Sequence, residues 1–278
     1  MAHTKLVIAA VFGIIGNVFS FGLFASPAPA FYRAIKKKSS GEELNPEYCL
    51  LTTMTCLFWA LYGTPSIDPG SILVLTANGI GVVMNLAYLI IFLIYAADNK
   101  QRIYVGGVLC LELVLVGLVG GLVIRLAHTV LAKRAIVGGF GIYFFVIMCW
   151  PRVSKWVPIC INKNFGDMCK PLVVTNIFKD LCWIIYAVLK CDIFLSVTHI
   201  WGLIVGVVEF ILYRVYDRNT SKVGDYEKVE KVKVQLRQID AGKLHKKLAT
   251  KEAQPQKRDT CDSKLVVGET QLEEIVTK

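Results

Sequence analysis

The chain has 278 residues, of which 55% are hydrophobic and 19% are charged, and its formal net charge at pH 7 is +10. With a mean hydropathy of +0.54, this composition excludes an ordinary soluble domain and indicates a protein with several membrane spans. The positive charge lies in the loops between apolar stretches and in a C-terminal tail of mixed charge, so it does not indicate nucleic-acid binding.

The apolar residues gather in seven stretches that we predict to be α-helices. Most of them reach the ~17–25 residues that a helix needs to cross the hydrocarbon core, and a backbone in lipid must satisfy its polar groups within the segment. The second and sixth stretches are interrupted by Thr, Lys and Asp, and they are assigned mainly because of the repeat described below. In chain order the stretches are 6–26, 48–66, 71–95, 104–125, 135–151, 172–190 and 193–216.

The first stretch imitates a cleavable signal peptide, because Lys5 precedes the apolar run and small residues and prolines follow it. The run is longer than the ~7–15 residues usual in a signal peptide, and cleavage would remove part of the repeat. We therefore expect this stretch to be retained as the first span.

A set of residues recurs roughly 120 positions further along the chain. The first copy covers 24–27, 59–63 and 78–81, and the second covers 148–151, 183–187 and 199–202. Each copy places a proline, a tryptophan and a polar residue in apolar stretches, as membrane carriers do to build a central site. Three helices end on the side opposite to their start, so a linker helix is needed to keep both units in one orientation. We predict an all-α membrane protein with seven transmembrane helices, arranged as two parallel three-helix repeats joined by a linker helix (3+1+3).

This arrangement divides the chain into four parts. They are a first repeat over 5–98, a linker helix over 104–126, a second repeat over 130–216 and a mostly disordered cytosolic tail over 217–278. Lys and Arg concentrate after the first, third and fifth stretches and in the tail. The positive-inside rule then places the N-terminus outside and the C-terminus in the cytosol, although Arg125, Lys133 and Arg134 fall on the predicted outer side.

Four residues in the two copies point to a central site. Asn78 in the third stretch corresponds to His199 in the seventh, and polar side chains inside a bundle face its interior or a water-filled cavity. Trp59 and Trp183 supply flat apolar faces that suit the C–H surface of a sugar ring. The alternatives are a hydrogen bond between helices for Asn78 and anchoring at the membrane interface for the tryptophans.

The repeated prolines Pro27 and Pro151 lie at matching ends of their stretches. A proline removes a backbone donor and bends a helix. One such bend in each repeat can act as a hinge for an inner gate. The alternative is that each proline only ends its helix at the membrane interface.

Several short motifs combine over residues 5–216. Their residues are Gly13, Gly16, Asn17, Ser20, Phe21, Phe24, Pro27, Pro29, Phe31, Tyr32, Arg33, Lys36, Lys37, Lys38, Ser39, Trp59, Tyr62, Gly63, Asn78, Gly81, Gly206, Leu212 and Tyr213. Together they resemble the plant SWEET (MtN3/saliva) sugar transporters, closely in the first half and loosely in the second.

The resemblance implies a substrate site near mid-membrane between the two units. Its positions are Ser20, Leu23, Thr55, Trp59 and Asn78 in the first half and Phe144, Ile147, Lys179, Trp183 and His199 in the second. It also implies an inner gate of prolines, in which Pro27 and Pro151 are joined by Pro46 and Pro171, both shifted from the family's positions.

Three of these positions depart from the family pattern. His199 stands where the family has a second Asn, and its charge can change near neutral pH. Phe144 is expected to narrow the cavity. Lys179 needs a carboxylate partner such as Glu209 or Asp180, unless it faces outward because the alignment is off by a residue or two.

The function that the resemblance implies is bidirectional, low-affinity facilitative sugar transport (uniport) by alternating access, and we expect the plasma membrane as its location. A related carrier for another small solute and a transport-impaired membrane scaffold remain alternatives. The spans contain no nucleophile–base pair and no metal cluster, so we expect no enzyme activity, metal or cofactor. The expected partners are a sugar, membrane lipid and a homo- or hetero-oligomer, and glycines in the linker helix allow close approach to another helix.

Overall fold

The computed structural model describes residues 2–39, 44–162 and 170–216. The regular elements of these residues are α-helices, and the predicted disordered tail over 217–278 lies outside the described part of the chain. The helices are α1 (Ala2–Ala25), α2 (Ala28–Lys37), α3 (Pro46–Tyr62), α4 (Ile72–Tyr95), α5 (Asn99–Leu126), α6 (Val130–Val153), α7 (Trp156–Asn162), α8 (Lys170–Leu189) and α9 (Ile193–Tyr216).

Six spans, formed by α1 with α2, α4, α5, α6 with α7, α8, and α9, are long and apolar enough to cross a membrane. The seventh, α3, has 17 residues, which at 1.5 Å per residue still covers about 26 Å. The all-α fold with seven predicted spans is thereby confirmed. The second apolar stretch is the weakest span, as expected, whereas the sixth meets the length and hydropathy of a full span.

Polar side chains begin several of these helices by accepting a hydrogen bond from the first turn. Asn45 accepts from the amide of Tyr48 at 3.0 Å, and Thr129 accepts from the amide of Ala132 at 3.2 Å. Asp192 accepts from the amide of Leu195 at 3.1 Å and so begins α9.

The repeated prolines occupy different positions along their helices. Pro27 lies between α1 and α2, in the helical region of the backbone at φ −77° and ψ −14°, whereas Pro151 lies inside α6, which continues to Val153. Pro46 is the first residue of α3 and Pro171 the second residue of α8. We call the end of the bundle with these four prolines the proline end. The opposite end, with Asp68 and Asp192, is the aspartate end.

The two halves pack together mainly through their first and second spans. Helix α1 contacts α4 and α8, and α3 contacts α4, α5 and α6. Each tryptophan lies against a glycine of the other half. A Cβ atom added to Gly16 would lie 2.9 Å from Nε1 of Trp183, and one added to Gly141 would lie 2.9 Å from the ring of Trp59. Bulkier residues at these two glycines would push the halves apart.

The glycines of α5 explain only part of its packing. A Cβ atom at Gly120 would lie 3.2 Å from Leu61 of α3. A Cβ atom added at any of the other four glycines would have no atom of another helix within 4 Å; these are Gly106, Gly107, Gly117 and Gly121.

Candidate functional site

A cavity of about 270 Å³ lies between the two halves, and each half supplies the same number of its lining residues. Its size is close to the lower end of the roughly 300–1,000 Å³ typical of small-molecule sites. Of the predicted site residues, Ser20, Leu23, Thr55, Trp59, Asn78, Lys179, Trp183 and His199 line it. The lining continues to Pro27, Tyr48 and Arg152 at the proline end.

The repeat-related tryptophans form the apolar part of the wall. Trp59 and Trp183 are each 3% exposed, and each meets the tyrosine three positions later edge to face, with ring centroids 5.2 Å and 5.3 Å apart respectively. Nε1 of Trp183 donates to Oγ of Ser20 at 3.3 Å. Nε1 of Trp59 is buried and has no hydrogen-bond partner in the described part of the chain.

The polar residues of the first half are uncharged and bonded to their own helices. Oγ of Ser20 donates to the carbonyl of Gly16 at 2.8 Å, and Nδ2 of Asn78 donates to the carbonyl of Val74 at 2.9 Å. Thr55 donates to its helix backbone in the same way. These bonds use the hydroxyl donors of Ser20 and Thr55 and one of the two amide N–H groups of Asn78. The capacity that remains is mainly that of their oxygens to accept, and Oγ of Ser20 already accepts from Trp183.

The second half has ionisable side chains at the positions that correspond to Thr55 and Asn78. Nζ of Lys179 lies 3.1 Å from Oδ1 of Asp180, and Nδ1 of His199 lies 2.8 Å from the same oxygen. The imidazole also stacks on Trp183, with ring centroids 5.6 Å apart and an interplanar angle of 10°. Asp180 is therefore the carboxylate partner of Lys179, because the flexible lysine side chain reaches back to its sequence neighbour.

A second ion pair, which the sequence analysis missed, lies nearer the proline end. Nε of Arg152 donates to Oε1 of Glu209 at 2.9 Å, and its Nη2 donates to Oε2. The Glu209 side chain is 1% exposed and that of Arg152 is 25% exposed. The available signal was an acidic residue deep in the last span, which requires a cationic partner.

The expected role of Phe144 in narrowing the cavity is wrong. Its ring packs on Phe58 with centroids 5.3 Å apart, and Ile147 also lies off the cavity. Phe145 and Met148 line it instead. The alignment is thus off by one residue in α6, which turns a helix by about 100°.

Of the predicted gating residues, Pro27 lines the cavity directly. Pro46, Pro151 and Pro171 lie at the same end of the bundle but are not part of the lining. The structure thus brings one of the four prolines into the cavity wall.

At the aspartate end, Tyr62, Arg134, Asp68 and Asp192 form a polar cluster. The hydroxyl of Tyr62 donates to the carboxylate of Asp192 at 2.9 Å, and Nε of Arg134 donates to the Tyr62 hydroxyl at 3.0 Å. Arg134 also lies 3.2 Å from Asp192 and 3.7 Å from Asp68. These partners explain one of the three basic residues that conflict with the charge pattern, Arg134. The cluster also ties α3 to the starts of α6 and α9.

Within the described ranges no group of three or more His, Cys, Asp or Glu residues is arranged to hold a metal ion. Seven cysteines of the same ranges are free.

The fold consists of a three-helix unit and its duplicate, which surround a cavity that reaches one end of the bundle. This arrangement defines a helical membrane protein of the carrier type. Comparisons with known proteins identify the family of this carrier. The family model described as "Sugar efflux transporter for intercellular exchange" matches residues 10–100 and 135–221, and the chain belongs to this family.

Named relatives agree with the family model. The chain is 37% identical over 212 residues to a putative bidirectional sugar transporter, SWEET7d of Oryza sativa subsp. japonica, covering 76% of this chain and 77% of the relative. It is 34% identical over 222 residues to the bidirectional sugar transporter SWEET7 of Arabidopsis thaliana, covering 80% and 85%. A 3.7 Å structure of a eukaryotic SWEET transporter superposes with a TM-score of 0.73 at 27% identity, covering 77% of this chain and 99% of that one.

Proposed function

We propose that this protein carries out bidirectional, low-affinity facilitative sugar transport by alternating access. The observation that carries the proposal is the cavity between the two repeats, to which each repeat contributes a tryptophan and a polar side chain. Relatives named as bidirectional sugar transporters support it. A sugar offers both hydroxyls for the polar side chains and apolar C–H faces for the indole rings.

The low affinity follows from how the polar groups of the cavity are used. Ser20, Thr55 and Asn78 each spend a donor on their own helix, and Lys179 is bound to Asp180. A sugar leaving water therefore finds few strong unpaired groups in exchange for its hydration.

The alternating-access step uses the two ends of the bundle. The cluster of Tyr62, Arg134 and Asp192 is the closed gate at the aspartate end, while the cavity reaches Pro27 at the proline end. Opening the gate at the aspartate end and closing the cavity at the proline end would expose the same site to the opposite side of the membrane. Pro27, Pro46, Pro151 and Pro171 are the gating residues at the proline end.

Charge distribution supports the orientation. Basic residues Arg33, Lys36 and Arg152 lie at the proline end, so we place this end and the C-terminus in the cytosol and the N-terminus outside. We place the protein in the plasma membrane. The proposed units are a first repeat over 5–98, a linker helix over 104–126 and a second repeat over 130–216.

Several glycines of α5 have open space beside them. They favour assembly of the protein with a further copy of itself or with a relative.

Isotope uptake and efflux in cells that lack their own sugar transporters test this proposal. We expect labelled hexoses or sucrose to move in both directions, with counterflow and without dependence on a proton gradient. Transport that requires a proton gradient would contradict uniport. A protein present at the membrane that moves none of the sugars would contradict sugar transport and favour another solute or a scaffold.

A further inference from the structure

A buried carboxylate joins the two unusual side chains of the cavity. Asp180 is 2% exposed, and its Oδ1 lies 2.8 Å from Nδ1 of His199 and 3.1 Å from Nζ of Lys179. An ammonium group can only donate, so Oδ1 of Asp180 accepts from Lys179, and the same oxygen is the acceptor for His199. The proton between Asp180 and His199 is therefore on Nδ1.

This hydrogen bond decides what the imidazole offers to the cavity. A neutral imidazole with its proton on Nδ1 has a lone pair on Nε2. Within the described ranges Nε2 has no hydrogen-bond partner and is not among the fully enclosed polar atoms, while His199 lines the cavity. Stacking on Trp183 holds the ring plane.

The backbone of α9 is shaped to admit the carboxylate. Gly202 lies one turn after His199, and a Cβ atom there would be 2.7 Å from Oδ2 of Asp180. Any larger residue would displace the carboxylate from the imidazole. The glycine, the carboxylate, the imidazole and the indole thus form one pre-arranged unit.

We propose that Asp180 is a specificity-determining positioning residue, which fixes the tautomer of His199 so that Nε2 accepts a hydrogen bond from one substrate hydroxyl. This inference rests on the proposed sugar transport. The substrate must therefore donate a hydrogen bond at that hydroxyl. An amide side chain in place of the imidazole would not require a donor, because an amide can present either its oxygen or its N–H.

The test replaces single hydroxyls of a transported sugar by fluorine, which keeps the size of the group but removes the donor. For one position, wild-type transport of the fluoro sugar should be about tenfold lower than that of the parent sugar, as expected when a buried acceptor is left unpaired. We call the transport rate of the parent sugar divided by that of the fluoro sugar the selectivity ratio, and it should fall to near one in His199→Asn. It should also fall in Asp180→Asn, because an amide can either accept from Nδ1 or donate to it and so no longer fixes the tautomer of His199.

Matched variants separate positioning from loss of fold. Lys179→Gln combined with Asp180→Asn removes the ion pair without leaving an unpaired charge, and Gly202→Ala displaces the carboxylate without changing a polar group. Both should lower the selectivity ratio, whereas Gly79→Ala, which has open space beside it, should leave it unchanged. Surface labelling confirms equal amounts of protein.

Wild-type transport of every fluoro sugar at the rate of its parent would overturn the inference, and so would an unchanged ratio in variants that still carry sugar. Either result leaves the proposed function standing. A wild-type protein that moves no sugar contradicts the proposed function and this inference together.

Discussion

The two repeats share a geometry but differ in chemistry. In each, a tryptophan packs on a glycine of the other half, as Trp183 does on Gly16. At the aspartate end, Tyr62 of the first half binds Asp192, which begins the last helix of the second half. The packing of each tryptophan on a glycine of the other half is thus common to the two repeats.

The contacts within each half are where the chemistry diverges. At Thr55 and Asn78 the first half has neutral groups, and the corresponding residues of the second half are Lys179 and His199, joined by Asp180. Both charged partners lie in the same half and on the same wall, so the charges balance locally. The comparison teaches that a duplicated carrier can vary paired polar residues inside one unit while it keeps the packing of each tryptophan on a glycine of the other unit.

The ion pair of Arg152 and Glu209 gives the sharpest contrast, because Tyr88 in the first half corresponds to Glu209 and only donates a neutral hydrogen bond, at 3.0 Å, to the carbonyl of Phe24. Arg152→Gln alone should destabilise the protein by about 3–5 kcal/mol, since it leaves a buried carboxylate unpaired. Adding Glu209→Gln should recover most of this loss. Tyr88→Phe should cost only about 1 kcal/mol.

Thermal unfolding in detergent measures these four proteins. A single change at Arg152 that is no worse than Tyr88→Phe would show that the ion pair is not buried in the folded protein.

Asn78 tests whether the neutral wall contributes to binding. Asn78→Ala should lower sugar transport by about tenfold or more, because a substrate hydroxyl loses its hydrogen-bond partner in the cavity wall. Thr76→Ala on the exposed face of the same helix serves as the control. Normal transport by an Asn78→Ala protein present at the membrane would show that the cavity is not the substrate site.

The prolines test the symmetry of the proposed inner gate. Pro27 separates α1 from α2 and lines the cavity, whereas Pro151 lies inside α6. Pro27→Ala should let the two helices join and slow exchange several-fold with little change in apparent affinity. Pro151→Ala should have a smaller effect. Exchange rates and half-saturating concentrations separate these cases, and a loss of affinity alone would assign Pro27 to binding.

The smallest expected difference concerns the two tryptophans. Trp183→Phe removes the hydrogen bond to Ser20 and should destabilise the protein by about 0.5–1.5 kcal/mol more than Trp59→Phe, whose indole nitrogen has no partner within the described ranges. Melting temperatures compare the two variants. Equal losses would mean that the bond to Ser20 is lost in solution.

The sequence by itself determined the architecture, because each α-helix that crosses lipid must be a long apolar run and a duplication leaves its spacing in the chain. For the same reason Trp59, Trp183, Asn78 and His199 could be assigned to the cavity before its shape was known. These predictions need only the apolar pattern and the repeat.

Only the tertiary structure decided which charges meet. The pairs of Arg152 with Glu209 and of Arg134 with Asp192 join residues more than fifty positions apart, and no local pattern encodes the rotation of one helix against another. A shift of one residue turns a helical side chain by about 100°, which is why Phe145 faces the cavity in place of Phe144. The long, flexible side chain of Lys179 likewise finds its neighbour Asp180 only because the packed helices leave that carboxylate at the cavity wall.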